Sequence, residues 1–201
     1  MPSASPYQDI VAKLQNRKSL PSLTPERVWH PGLDAEIAAL SEEKMAEGRP
    51  DGWPSALAWK AALHLWNDSL EPAHALVQDL DTPTGSALHG ILHRREGDYD
   101  NAKYWFRRTG DHPAWHGLQS RASEWLGGLE REGRLPHGPS GHAIRTIAAQ
   151  GIWNPYLFTD AVAMVEGRIG DDDAREVLEG LQHLELAALL RFLEARLNVG
   201  I

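Results

Sequence analysis

The sequence contains no cysteine. A disulfide framework, a thiolate metal site and a cysteine nucleophile are therefore excluded. Long apolar runs are missing too. No segment approaches the roughly 20 apolar residues a membrane span needs, so no membrane partner is expected. The opening stretch MPSASPYQDIVAKLQ has no basic run followed by an apolar one, so it does not read as a signal peptide. Positive charge is in short supply: 20 Lys and Arg face 28 Asp and Glu, for a net charge of -8. That balance argues against nucleic acid as a partner, because neutralised phosphates drive such affinity. Sustained two-residue alternation, the mark of a half-buried strand, is absent. There is no P-loop, no dinucleotide glycine fingerprint, no nucleophile elbow and no EF-hand loop. Ser140 lies near His142, but without the strand–turn–helix context that gives such a pair catalytic weight. The expectation is a cytoplasmic, all-α protein with no cofactor named by its sequence.

What is present reads as a succession of capped, helix-period segments. Helices are predicted over 6–18 with Ser5 as cap, from Thr24 onward, and over 33–47, stopped by Gly48 and Pro50. They continue over 54–66, 70–80, 85–95 and 99–109, and from Pro113 to 131. Residues 133–141 form the clearest internal loop. Beyond it lie 142–150, 156–166 and 171–197, the last as two helices bent near Gly180. One domain over 1–201 is expected, with N-terminal helices in 1–53, central helical hairpins in 54–131 and C-terminal helices in 142–201. In the last segment Leu178, Leu181, Leu186, Leu189, Leu190, Leu193 and Leu197 supply an amphipathic cap or a homodimer surface. Its outer face is acidic, and Asp171, Asp172 and Asp173 sit where a helix N-terminus favours anions.

The two central hairpins are related by a 29-residue offset. Pro54 maps to Pro83, Ala61 to Gly90, Leu63 to Leu92, His64 to His93, Leu70 to Tyr99, Ala73 to Ala102 and Val77 to Phe106. Small residues recur where helices must approach and bulky ones where they must fill. Gly90, Gly97, Tyr99, Ala102 and Phe106 have the spacing of a tetratricopeptide or Sel1-like repeat, which this stretch resembles, with Trp105 where Sel1-like repeats often carry tryptophan. The resemblance implies antiparallel helical hairpins and a binding or scaffold role. The run HGILHRREGDYDNAKYWFRRTGDHP is also similar to a family of uncharacterised bacterial and fungal proteins, a likeness that implies no activity.

Chemistry concentrates in the same region. His89 and His93 lie one helical turn apart and share a face, a spacing that can put two imidazoles on one metal. His64, the repeat equivalent of His93, and His74, on the facing helix, complete a candidate metal set of His64, His74, His89 and His93. A site there requires a cavity beside His89 and His93; otherwise these are half-buried, hydrogen-bonded histidines. His112 and His116 form a weaker pair. Arg94, Arg95, Lys103, Arg107 and Arg108 either complement helix C-termini or bind a small anion through bidentate guanidinium groups. The candidate ligand-binding set is His89, His93, Arg94, Arg95 and Trp105, with Trp59 or Trp66 as other nearby indoles. Eight tryptophans against three phenylalanines suit either a core or the wall of a groove. The aromatic run from Gly151 to Asp160 either closes one side of a pocket or docks the C-terminal helices. Two functions follow. One is a binding protein with a groove for a protein, peptide or small anionic ligand. The other is a metal-dependent or acid–base enzyme using the central cluster, with Glu71 or Asp98 assisting.

Overall fold

The computed structural model describes residues 6–49 and 52–197. Among them all regular structure is helical, with no strand. The main elements are α1 (Pro6–Gln15), α2 (Pro31–Ala38), α3 (Glu42–Ala46), α4 (Gly52–Trp66), α5 (Leu70–Val77), α6 (Pro83–Arg95), α7 (Tyr99–Thr109), α8 (Leu118–Arg131), α9 (Gly138–Ala148), α10 (Pro155–Met164) and α11 (Asp172–Leu197). The Ser5 cap and Pro50 fall outside the described residues. One continuous apolar cluster runs from Ile10 to Leu197. None of the described helices is long and apolar enough to cross a membrane.

Caps explain many of the boundaries. Thr82 Oγ1 accepts the Gly85 N–H at 3.0 Å and Pro83 opens the first turn of α6; Asn154 Oδ1 accepts two N–H groups to start α10. Asp171 starts α11 by accepting the Ala174 N–H at 3.0 Å. Its carboxyl is held low by the Ser140 hydroxyl and then by the Ala174 amide, as a carboxylate at a helix N-terminus should be.

Several predicted elements differ. The helix expected over 33–47 is two short ones, because the Lys60 ammonium takes the Ala38 and Leu40 carbonyls and pairs with Glu42. Ser41 then caps a fresh start by accepting the Lys44 N–H at 3.3 Å. No helix begins at Thr24, whose hydroxyl instead donates to Glu166. The helix expected from Pro113 is a 3₁₀ turn, Pro113–Trp115, separated from α8 by Gly117 at φ 76°. Helix α9 starts at Gly138, inside the predicted loop, because Pro139 suits a first turn.

Helix α11 runs unbroken through Gly180. That glycine is a contact, not a bend: a Cβ there would lie 2.2 Å from the Trp125 ring. All seven leucines named above are buried within this chain; α11 packs on α4, α8, α9 and the 3₁₀ turn. Its apolar face is thus covered internally.

In the central region α4 packs on α5 and α6 on α7. Gly90 is required, since a Cβ would stand 2.6 Å from the buried Phe106 ring. Replacing Gly90 or the fully buried Ala102 by leucine should cost on the order of 1–3 kcal/mol through overpacking. An unchanged urea midpoint in both variants would show that the α6–α7 contact is not tight.

Candidate functional site

The last turn of α6 points its charges in two directions. Arg94 and Arg95 turn into the core, where they are 0% and 1% exposed. Arg94 forms a two-bond ion pair with Glu185 of α11, at 2.5 and 3.4 Å, and lies 4.3 Å from the centre of the Phe158 ring. Trp153 Nε1 donates to the same Glu185 at 3.1 Å. Arg95 donates to the Ser22 and Leu65 carbonyls and pairs with Asp68. Burial lowers its pKa to about 10 even with that carboxylate beside it. Neither guanidinium is presented to a ligand. Both hold distant parts of the chain together.

The histidines take the other side. His74, His89 and His93 do meet: His74 is edge-on to His89 at 5.5 Å and to His93 at 5.3 Å, and His89 stacks on Trp105 at 4.0 Å. Arg108 lies over the Trp105 ring at 5.4 Å. His64 is not with them; its Nδ1 donates to Asp34 at 2.7 Å. Trp59 and Trp66 are core residues, edge-on to Tyr7 and to His183 respectively. Within the trio, His89 Nδ1 donates to the Gly85 carbonyl at 3.1 Å and His93 Nδ1 donates to Glu96 at 2.9 Å. The other His93 nitrogen meets the Asn101 amide at 3.3 Å. Rings that stack and meet edge to face do not aim their lone pairs at one point. Among the described residues no three His, Asp or Glu side chains are placed to hold a metal ion. His89 and His93 are only 3% and 8% exposed, and neither lines any of the clefts described below.

The trio has a pH consequence instead. Burial, reinforced by the neighbouring histidines, depresses the His89 pKa to about 4; burial first, and then Arg196, does the same to His112. In the unfolded chain both titrate near 6.5. Between those values the unfolded state binds more protons, so stability present above about pH 6.5 is lost as pH falls towards 4. A urea midpoint that drops between pH 7 and pH 5, and drops less in His89→Asn, is expected. A midpoint equally pH-dependent in both proteins would remove His89 from the explanation.

His112 itself is buried, with Nε2 3.0 Å from the Thr84 hydroxyl and Nδ1 accepting the Ala114 N–H. His116 is exposed, 3.4 Å from Asp111. The two do not share a face.

Several clefts open on the described surface, and two of them are the main contenders for a ligand. One, of about 980 Å³, lies between residues 17–29 and α11 and is lined by Arg17, Asp68, Glu166, Arg175 and Glu179 among others. Its inner charges are already committed. Arg17 donates to Asp68 at 2.8 Å and to the Trp66 carbonyl at 2.6 Å, and lies over the Trp29 ring; Arg175 sits 2.7 Å from Glu166. Burial raises the pKa of Glu179. Asp68 is the one non-glycine residue at positive φ, 60°, among the described residues. It closes α4 as Gly97, 29 positions later at φ 80°, closes α6. The Ser69 N–H reaches the His64 carbonyl and the Asp98 N–H the His93 carbonyl, both at 2.9 Å.

The other cleft, of about 560 Å³, has mainly apolar walls: Phe106 from α7, Trp115 from the 3₁₀ turn, and Ile152, Trp153 and Tyr156 before and at the start of α10. Gln119 of α8 and the rim residues Asp111 and His116 add polarity. Ile152 is 79% exposed. The aromatic run from Gly151 to Asp160 is divided between the two alternatives expected for it. Trp153 and Phe158 dock inward while Ile152 and Tyr156 face the groove. The sequence carries no local signal for Trp115, which sits in a 3₁₀ turn where a helix was expected, or for Gln119 on α8. No protein-family model, curated protein or solved structure matches the chain.

Proposed function

We propose that this chain is a helical-repeat-like binding protein that takes a small, largely apolar molecule in the groove between Phe106, Trp115, Ile152 and Tyr156. The repeat part rests on the 29-residue offset, on the matching helix ends at Asp68 and Gly97, and on the α4–α5 and α6–α7 packing that antiparallel hairpins would give. The ligand part rests on one observation. An aromatic-walled cleft of about 560 Å³ stays open beside a well-filled core, and small-molecule sites have that size and lining. The larger cleft is polar, and its inner arginine and aspartate serve each other. The histidine trio supports the hairpin in this reading, with Glu96 and Asn101 as its partners.

Naphthalene titrated into the ¹⁵N-labelled protein tests the assignment. Saturable shifts at the Trp115 and Trp153 indoles are expected, and Ile152→Asp should abolish them. That variant changes an exposed side chain, so its urea midpoint should stay near that of the parent. Shifts at neither indole, or shifts unaffected by Ile152→Asp, would overturn the reading.

A further inference from the structure

A third cleft, of about 390 Å³, lies where the first turns of α4 and α6 face the end of α11. Pro54 and Ser55 line it from α4, and their equivalents under the 29-residue offset, Pro83 and Thr84, line it from α6. The positive ends of two helix dipoles therefore meet at one place. Ser55 is an independent sign of a ligand. It is 8% exposed and its hydroxyl has no hydrogen-bond partner, yet its oxygen is not one of the unpartnered atoms sealed from solvent. The exposure that Ser55 keeps is to the cleft it lines. Thr84 offers a second hydroxyl proton. The Ala114 N–H can only donate, so His112 Nδ1 is the acceptor of that 3.1 Å bond. Burial keeps His112 neutral at pH 7, with a pKa of about 4. Its one proton therefore sits on Nε2 and is donated to Thr84 Oγ1 at 3.0 Å. The Thr84 hydroxyl proton is left uncommitted. Arg196, 5.5 Å from the centre of the Phe192 ring, is the one full charge among the described lining residues, and none of them is acidic.

We infer that this cleft is a second binding site, separate from the aromatic groove, for a small monocarboxylate with an apolar body. The carboxylate accepts the Ser55 and Thr84 hydroxyl protons at the two helix starts, with Arg196 beside it. The apolar body lies against Ala58, Phe192 and Leu193, which line the same cleft. The charge of the ligand follows from the donors: two hydroxyl protons, two helix N-termini and a guanidinium favour an anion and repel an ammonium group. Its apolar part follows from the walls. A free phosphate would turn oxygens without donors towards Phe192 and Leu193 and lose their hydration uncompensated. The volume suits a small organic acid.

Benzoate and its neutral isostere benzamide, titrated into the ¹⁵N-labelled full chain at pH 7 and fixed ionic strength, test the inference. Benzoate should shift the Ser55 and Thr84 amides saturably and bind about tenfold or more tighter than benzamide. Ser55→Ala should weaken benzoate by about tenfold. Its urea midpoint should be no lower than the parent's, because the hydroxyl that it removes has no partner to lose. Arg196→Met should weaken benzoate by about threefold, as an exposed charge does, and leave benzamide unchanged. Benzoate binding no tighter than benzamide, or undiminished by Ser55→Ala, would overturn the inference. So would a lowered urea midpoint in Ser55→Ala, which would make the hydroxyl structural. Ile152→Asp separates the two sites: it should leave benzoate binding intact, and a loss there would place benzoate in the aromatic groove and end the claim of a second site. Failure of naphthalene to bind would remove the groove reading and leave this one standing.

Discussion

Asp68→Gly should lower the stability of this protein by about 2–4 kcal/mol, although it places glycine at a left-handed position. Two effects oppose each other. Asp68 sits at φ 60°, and relief of that conformation is worth roughly 1 kcal/mol. Against it stands the loss of the carboxylate that Arg17 and Arg95 share. Both arginine side chains are nearly fully buried, at 4% and 0% exposure, and removing one partner from a buried ion pair costs about 3–5 kcal/mol. The ionic loss wins. Asp68→Asn keeps a residue that tolerates the left-handed region and also removes the charge, so it should be destabilised to a similar degree. Urea unfolding of the three proteins decides. A glycine variant as stable as the parent would show that backbone strain outweighs the ion pair.

Glu185→Gln should be as damaging, for a related reason. Arg94 and Glu185 are both 0% exposed and pair across 91 residues. With glutamine in place the Trp153 indole still has an oxygen to donate to, but Arg94 is left as a buried, uncompensated cation, at a cost of about 3–5 kcal/mol. Arg94→Met alone strands the carboxylate and should cost about as much. The double variant Arg94→Met/Glu185→Gln removes both charges and should recover most of the loss, since a neutral replacement of a buried pair is often close to neutral. Losses that simply add in the double variant would show that the two residues do not act as a pair.

These two pairs also mark where sequence and structure part company. Helix existence was legible because capping and spacing are local. The 99–109 segment, for example, is helical over the expected span, with the Asp98 side chain accepting the Asn101 N–H at its start. The meeting of His74 with His89 and His93 was legible because a turn of helix and one facing helix settle it. The fate of Arg94 and Arg95 was not. Two arginines ending a helix look like charges complementing its dipole. Only the tertiary fold supplies Glu185, Asp68 and the Ser22 carbonyl to draw them inward. Lys60 hides in the same way. Nothing local says that a lysine within an apolar stretch will take the carbonyls that break the 33–47 segment in two. His64 had a repeat partner to suggest its place, but Asp34, 30 residues upstream, gave it another. The groove was half legible: its aromatic wall at 151–160 stood out, whereas Trp115 in the 3₁₀ turn and Gln119 on α8 are brought to it by the tertiary fold.

The span between Arg94 and Glu185 also sets an order of events during synthesis. At roughly 5–20 residues per second, the 91 residues between them take on the order of ten seconds to emerge from a ribosome. Throughout that interval the end of α6 carries a guanidinium whose counter-ion has not yet been made. The α6–α7 pair, with Phe106 on Gly90, can form, but its Arg94 side lacks the Glu185 carboxylate until α11 arrives. Final burial of the middle of the chain thus waits on α11, so a nascent chain stopped before that helix would expose this apolar surface to whatever else is in solution.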